Sequence, residues 1–432
     1  MKKILHITAH LGAGAGKAIS GLIKNLEGYE NTVILLEKPE DDKYCEICRQ
    51  SGARVIIAPQ YKEIEKEAED TDIVIFNWWA HPLTVNLLTR LGKIQSRLII
   101  WSHINGLHYP KLTFDFLDIF DGIMFTSPCS LKSNSFSENQ RKAIEKKTSF
   151  VYGTGEFYPV KSKFKESYKA DKNDLKIGYL GTLDFSKLNR AFPEICQAIK
   201  EKLPEAHFIL CGKADENFKN QFFKDYADLK DCVDFKGFVT NAEEMLNSFD
   251  VFCYPLSSLN FATTENALLE AMAVALPIVV LDNPAESEII DNAKSGIVAK
   301  GKEDFIEKTV LLLNDEKERI RLGTAARKTV INKYSTQNNV ATFVEAVEKA
   351  LKTQKTSHNF EALIGSDIWE NFLYFCADEK ENVIKALNGE HCSLSDIFYS
   401  NSKSSPFHYQ RYFKDEHIDM LVNKLKEAHY EN

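Results

Sequence analysis

A glycine-rich stretch near the amino terminus has the composition of a phosphate-binding loop. In "HLGAGAGKAI", three glycines precede Lys17. The P-loop needs the spacing G-x-x-x-x-G-K-[ST], but Gly12 stands four residues before Gly16, and Ala18 replaces the hydroxyl that binds Mg²⁺. A G-x-G-x-x-G motif is not formed either. The pattern leaves two alternatives: Gly12 and Gly14 let the backbone approach a ligand between the first strand and the first helix, or they form a tight turn without a ligand.

Two histidines stand where apolar runs end. His103 closes "RLIIWSH", and His81 follows "DIVIFNWWA" beside two tryptophans. Parallel sheets bind ligands at the carboxyl ends of their strands, so His103 is predicted to line a binding crevice. His81 is predicted to be an acceptor-site residue or a packing residue.

Length and composition limit the class of protein. The 432 residues are too many for one core and predict two domains with an appendage. A net charge of -8 argues against a nucleic-acid partner, whose phosphates need a basic face. No stretch reaches the roughly 20 apolar residues of a membrane span. The nine cysteines are scattered and indicate reduced thiols in a cytoplasmic protein.

Apolar strand patterns alternate with helical ones, which predicts parallel sheets covered on both faces. The pattern runs from "KKILHIT" to "RLIIWSH", is interrupted by a lysine-rich linker at 158–174, and restarts at "LKIGYLG". We predict Rossmann-like domains at 1–160 and 175–335, a crossover helix at 336–352 and a helical extension at 353–432. Aromatic residues in the extension could bind acceptor sugars or a partner, but more often they attach such an appendage to the main body.

The segment "PLSSLNFATTENALLEAMAVALPIVVLD" closely resembles the donor-binding segment of glycosyltransferase family 4. "KIGYLGTLDFSK", "HFILCGK", "VDFKGFV" and "AESEIIDNAKSGIVAK" resemble further elements of that family in the same order. The resemblance covers roughly residues 1–350. It implies an α/β protein of GT-B fold, with two facing Rossmann-like doubly wound domains, that retains the anomeric configuration of a transferred sugar.

The resemblance also implies roles for residues of the carboxyl-terminal domain. Glu270 matches the second signature glutamate, which binds the ribose of the nucleotide. The amino end of the helix near "TTENALLEAMA" favours the diphosphate, and Thr263 and Thr264 there are predicted to cap the helix or to touch the phosphate. Lys187 stands at the family's lysine position, whereas the usual arginine after Gly181 is replaced by Thr182.

The first signature glutamate is missing, because Ala262 stands at its position. We expect Glu265, or Asn266 beside it, to contact the hydroxyl groups of the donor sugar instead. Alternatively, Glu265 only favours the helix start by its charge. The resemblance places His103 close to the donor sugar. Catalysis is thus assigned to His103, Lys187 and Glu265.

The sequence therefore predicts a cytoplasmic glycosyltransferase with a UDP- or GDP-sugar donor. Its acceptor is a hydroxyl group of a glycan, a lipid-linked glycan or another molecule, with peripheral membrane contact left open. No metal and no cofactor are expected. The family association indicates bacterial surface polysaccharide or glycoconjugate synthesis. Two alternatives are a degenerate nucleotide-sugar-binding partner subunit and a GT-B sugar-nucleotide epimerase.

Overall fold

The computed structural model describes residues 1–163, 174–401 and 404–430. The chain divides into two compact units. Unit 1 contains Met1–Glu156 and Thr336–Asn432, and unit 2 is Phe157–Ser335. Of the predicted linker at 158–174, residues 164–173 lie outside the described residues, and Pro159–Lys161 forms a single 3-10 turn.

The described part of unit 1 holds a parallel sheet in the order β3-β2-β1-β4-β5-β6-β7. Its strands are β1 (Lys2–Thr8), β2 (Tyr29–Leu35), β3 (Arg54–Ile57), β4 (Ile73–Trp78), β5 (Leu98–Ser102), β6 (Gly122–Phe125) and β7 (Thr148–Phe150). The helices between them are α1 (Ala13–Lys24), α2 (Lys43–Gln50), α3 (Tyr61–Asp70), α4 (Pro82–Leu91), α5 (Phe114–Asp118) and α6 (Glu138–Lys146). Every residue of β4 is buried, as expected for a central strand covered on both faces.

Unit 2 holds a second parallel sheet, in the order β10-β9-β8-β11-β12-β13. Its strands are β8 (Leu175–Leu180), β9 (Ala206–Cys211), β10 (Val233–Gly237), β11 (Val251–Tyr254), β12 (Ile278–Leu281) and β13 (Ile297–Ala299). Its helices are α7 (Phe192–Lys202), α8 (Glu216–Phe223), α9 (Ala242–Asn247), α10 (Asn266–Ala273), α11 (Glu286–Ile289), α12 (Lys302–Asn314) and α13 (Glu316–Lys333).

After unit 2 the chain returns to unit 1 through α14 (Thr336–Ala350), whose Phe343 and Val347 are fully buried in the core beside β1 and α1. The extension continues with α15 (Glu361–Ile364), α16 (Ile368–Cys376), α17 (Lys380–Leu387), α18 (Pro406–Gln410) and α19 (Glu416–Tyr430). Its aromatic rings pack on unit 1: Phe398 stacks on Tyr109 with ring centroids 4.3 Å apart. These contacts attach the extension to the body of unit 1.

Both sheets reverse their strand order at one place, between β1 and β4 in unit 1 and between β8 and β11 in unit 2. Loops that leave the carboxyl ends of strands on either side of such a reversal diverge, and the crevice they leave is where doubly wound sheets bind ligands. Each unit therefore offers one preferred ligand edge. None of the helices in the described residues has the length and apolar character of a membrane span.

Candidate active site

Two loops meet at the switch point of unit 2. The loop after β8 carries Lys187, and the loop after β11 leads to Glu265. Backbone hydrogen bonds join the two loops: the N–H of Asn189 donates to the Pro255 carbonyl at 3.0 Å, and the N–H of Ser257 donates to the Lys187 carbonyl at 2.8 Å. The position of Lys187 is thereby set relative to the segment that precedes α10.

Lys187 and Glu265 form an ion pair, with Nζ 2.8 Å from Oε2. The Tyr254 hydroxyl donates to the same carboxylate oxygen, and Nζ also lies 5.7 Å from the centroid of the Tyr254 ring. Tyr179 stacks on that ring at 5.4 Å and donates its hydroxyl to the carbonyl of Thr182 at 2.8 Å. The two residues that the sequence singled out separately, Lys187 and Glu265, thus belong to one cluster.

This pairing changes what each residue can do. The side chain of Glu265 is 10% exposed and that of Lys187 is 22% exposed, so the pair is only partly screened by water. A diphosphate that approached Lys187 would compete with Glu265 for the ammonium group. Glu265 consequently positions Lys187, in addition to any contact that it makes with a donor sugar.

Helix α10 begins at Asn266, and Glu265 occupies the N-cap position. The N-cap position that was predicted for Thr263 or Thr264 is thus occupied by Glu265, and the alternative that these threonines touch the phosphate stays a prediction. Both threonines are buried, and Glu270 is half-buried on the following turn. Asn266 and Glu270 are four residues apart and lie on the same side of the helix.

The sequence did not single out Glu286, a second acid near this cluster. It is fully buried at the start of α11, and its Oε1 accepts a hydrogen bond from Asn283 Nδ2 at 3.0 Å. Its Oε2 has no hydrogen-bond partner among the described residues. Burial, reinforced by the nearby charge of Glu265, raises the pKa of Glu286 to about 7. The only sequence signal was an acid placed shortly after an apolar strand.

The two glycines that directly follow β8 and β9, Gly181 and Gly212, allow close backbone packing. A Cβ on Gly212 would lie 1.9 Å from the carbonyl oxygen of Gly181, and a Cβ on Gly181 would lie 2.8 Å from the Tyr179 hydroxyl. Any other residue at these positions would push β8, β9 and the tyrosine pair apart. Gly181 therefore shapes the loop that carries Lys187.

The glycine-rich stretch of unit 1 is a helix start and not an extended loop. Gly12 is the N-cap of α1, and Gly14 and Gly16 lie in the first turns. The N–H of Gly16 donates to the Gly12 carbonyl at 2.9 Å. Nothing lies within 4 Å of a Cβ built on Gly14, so this helix start is open on that side. Gly12 thus lies between β1 and α1 as predicted, whereas Gly14 lies inside the helix.

His103 follows β5, and its Nε2 lies 3.1 Å from Asn77 Oδ1. Because Asn77 donates its amide to the Ile7 carbonyl at 3.2 Å, its oxygen faces the histidine and accepts the proton of Nε2. Burial lowers the pKa of His103 to about 3. The ring is therefore neutral at physiological pH, and because its one N–H is donated to Asn77, its Nδ1 is a hydrogen-bond acceptor.

His81 is the N-cap of α4, and its side chain is 1% exposed. Its Nδ1 accepts the N–H of Leu83 at 3.2 Å, and its Nε2 lies 3.4 Å from Oε1 of Glu37. The same oxygen is 3.9 Å from Nε2 of His10. Three loops, after β1, β2 and β4, thus bring His10, Glu37 and His81 together at the switch point of unit 1. Of these three residues, the sequence pointed only to His81.

Two histidines and a carboxylate are also a common metal-ligand set, and the ligand atoms of these three lie within 4.8 Å of one another. The hydrogen bond from Leu83, however, occupies the lone pair of His81 Nδ1 and assigns the proton to Nε2. A protonated nitrogen cannot ligate a metal. The geometry fits a hydrogen-bonding site better than a metal site, and metal independence stays a prediction.

Similarity to known protein families is found in unit 2. Residues 160–329 match the family model of group 1 glycosyl transferases, which covers most of unit 2. An N,N'-diacetylbacillosaminyl-diphospho-undecaprenol alpha-1,3-N-acetylgalactosaminyltransferase of Campylobacter jejuni is 29% identical over 239 residues, which are 53% of this chain and 59% of that enzyme. The chain spans somewhat more than half the length of the curated relatives that it matches first.

Solved structures extend the similarity to most of the chain. The Anabaena protein HepE, solved in complex with UDP and glucose, superposes with a TM-score of 0.63 at 13% identity and covers 81% of this chain and all of its own. TarM of Staphylococcus aureus gives a TM-score of 0.58 at 12% identity in a complex that contains UDP, and it covers 82% of this chain and all of its own. The predicted GT-B fold is confirmed.

Proposed function

We propose that this chain is a glycosyltransferase that moves a sugar from a nucleoside-diphosphate sugar to a hydroxyl acceptor. The observation that carries the proposal is the Lys187–Glu265 pair at the amino end of α10, inside the segment that matches the group 1 glycosyl transferase model. A cation beside a helix amino end is suited to an anionic leaving group such as a nucleoside diphosphate.

Each candidate site residue of unit 2 has a role in this reaction. The N–H groups at the start of α10 and the ammonium of Lys187 stabilise the negative charge that develops on the departing diphosphate. Glu270 accepts hydrogen bonds from the ribose hydroxyls. Glu265 holds Lys187 in place, and Glu265 or Asn266 binds hydroxyl groups of the donor sugar. A role of His103 close to the donor sugar follows the family that the sequence resembles.

The finer parts of the proposal rest on resemblance. Retention of configuration and independence of a metal ion follow the family that the sequence resembles. Structural neighbours solved with UDP favour UDP over GDP as the donor nucleotide. The Campylobacter relative, named for a diphospho-undecaprenol acceptor, favours a lipid-linked glycan at the inner face of the membrane and a role in surface glycoconjugate synthesis.

The test is to incubate the purified chain with a panel of UDP- and GDP-sugars, with and without a lipid-linked acceptor extract, and to measure release of nucleoside diphosphate. We expect release from at least one donor, stimulated by acceptor and abolished in Lys187→Met. A chain that binds nucleotide without any turnover would be a degenerate partner subunit. A chain that converts the sugar nucleotide without acceptor would be an epimerase. Either result would overturn the proposal.

A further inference from the structure

The carboxyl-terminal extension reaches the switch point of unit 1 with one segment, residues 404–412, which we call the tail segment. The hydroxyl of Ser404 donates to the carbonyl of Ala80, and the hydroxyl of Tyr109 donates to the carbonyl of Ser404. The N–H of Ser404 donates to His408 Nδ1 at 3.1 Å. These hydrogen bonds fix the tail segment on the turn between β4 and α4, which carries His81.

Two side chains of the tail segment then act on the polar cluster itself. The His408 ring packs edge-on against His81, with ring centroids 4.5 Å apart. The Tyr412 hydroxyl donates to Glu37 Oε2 at 2.6 Å. One oxygen of the carboxylate is thus held by the tail segment, and the other, Oε1, faces His10 and His81.

The carboxyl group of Glu37 is ionised at neutral pH. Burial alone would raise the pKa of Glu37, but the nearby His81 ring and the hydrogen bond from Tyr412 lower it to about 2. Burial lowers the pKa of His408 to about 3 and also lowers that of His10. At neutral pH Glu37 is therefore a carboxylate, which accepts hydrogen bonds from hydroxyl groups and repels phosphate, and the lowered pKa values of His408 and His10 keep these two rings neutral beside it.

The exposure of the cluster and the groups around it also favour an uncharged ligand with hydroxyl groups. The side chains of Glu37 and His10 are 25% and 36% exposed, so the cluster is open to solvent on their side. His81 Nε2 is buried and has no well-aligned hydrogen-bond partner among the described residues. The half-exposed ring of Trp79 lies 5.4 Å from the His10 ring and offers an apolar face. A carboxylate, an N–H donor and an aromatic face together suit a sugar ring, which has hydroxyl groups and apolar C–H faces.

We propose that the tail segment forms one wall of a binding site for an uncharged sugar residue of the acceptor, with Glu37 Oε1 and His81 Nε2 as its hydrogen-bonding groups. This inference rests on the proposed function, since it assigns the acceptor side of that transfer. It gives the extension a part in acceptor selection, in addition to its packing on unit 1.

The test measures ligand binding to the full chain without turnover. Saturation-transfer NMR is recorded with methyl α-D-glucopyranoside, methyl N-acetyl-α-D-glucosaminide and methyl N-acetyl-α-D-galactosaminide, and with glucose 1-phosphate as the anionic probe. Tyr412→Phe removes the one hydroxyl that the tail segment gives to Glu37. Tyr374→Phe is the matched control, because its hydroxyl joins the extension to Thr113 of unit 1 at 2.5 Å in another hydrogen bond.

We expect at least one neutral glycoside to bind the wild type and Tyr374→Phe, with preference over glucose 1-phosphate. Tyr412→Phe should weaken that binding about threefold to tenfold, the equivalent of one hydrogen bond. Glu37→Gln, which leaves Tyr412 in place, should weaken it as well and tests the site even if Tyr412→Phe loosens the extension. Equal binding by all variants, or no neutral glycoside bound by the wild type, would overturn the inference.

Binding of UDP to the same samples separates the two proposals. We expect every variant to retain it, since the donor residues of unit 2 are unchanged. If the wild type bound neither UDP nor GDP, the proposed function would fail. If nucleotide binding is intact and glycoside binding does not respond to Tyr412→Phe and Glu37→Gln, only the inference about the tail segment fails.

Discussion

The buried carboxyl group of Glu286 makes the stability of unit 2 depend on pH. Its pKa is raised from 4.5 in the unfolded chain to about 7, chiefly by burial. A carboxyl group whose pKa is raised on folding contributes its full stabilisation to the folded state below pH 4.5, where it is protonated. This stabilisation is lost as the pH rises through 7 and the group ionises. The difference between the two pKa values corresponds to about 3 kcal/mol of unfolding free energy.

Glu286→Gln should remove this dependence. The amide has the shape of the protonated carboxyl, keeps an oxygen that can accept from Asn283, and does not titrate. We therefore expect the variant and the wild type to be similarly stable near pH 4.5. At pH 8 the variant should be more stable by about 3 kcal/mol, because only the wild type must bury a charge.

The assay is urea unfolding followed by circular dichroism at several pH values between 4.5 and 8. Circular dichroism is needed because the four tryptophans, Trp78, Trp79, Trp101 and Trp369, all lie in unit 1 and do not report directly on unit 2. Glu288→Gln, in the same helix but half-exposed, is the control and should show no such gain. A difference between Glu286→Gln and wild type that stays constant over this pH range would refute the reasoning.

Three further predictions concern unit 2. Glu265→Gln should lower turnover while leaving nucleotide binding largely intact, whereas Glu270→Gln should weaken nucleotide binding itself. Isothermal titration with UDP measures the binding, and an assay of nucleoside diphosphate release measures the turnover. Normal turnover of Glu265→Gln would disprove the role of Glu265. Lys187→Met should lower the transfer rate by about a hundredfold or more, the usual effect of removing one charge-stabilising donor, and a rate within a few-fold of wild type would contradict this. Gly323→Ala should destabilise the protein by about 1–3 kcal/mol, because its Cβ would lie 1.8 Å from the carbonyl oxygen of Ala275; an unchanged urea midpoint would argue against this close helix contact.

Much of the fold could be predicted from the sequence because the central strands are buried on both faces. "DIVIFNW" and "RLIIWSH" are nearly continuous apolar runs, and the structure places β4 and β5 there. The shorter strands β6 and β7 were not predicted. β7 has three residues, all half-buried, and so short a segment carries no periodicity that separates a strand from a loop.

Helix boundaries were predicted less well than helix positions. Gly12 and Gly14 were expected between the first strand and the first helix, but α1 begins at Ala13 and includes Gly14, where a side chain would face open space. The expected threonine cap of α10 is replaced by Glu265. The helix preferences of neighbouring residues allow several possible first residues for a helix, and the tertiary packing of the first turn selects one of them.

The candidate site residues came from the resemblance of the sequence to glycosyltransferase family 4, and their types suit a diphosphate and sugar hydroxyl groups, which call for a cation, a helix amino end and carboxylates. The sequence therefore pointed to Lys187, Glu265 and Glu270 individually. The pairing of Lys187 with Glu265 joins residues 78 positions apart, and only the meeting of the loops after β8 and β11 decides it. The contact of Glu37 with Tyr412 spans 375 positions. No local pattern encodes such contacts, because they arise when strand order and the returning extension bring distant loops to one edge of a sheet.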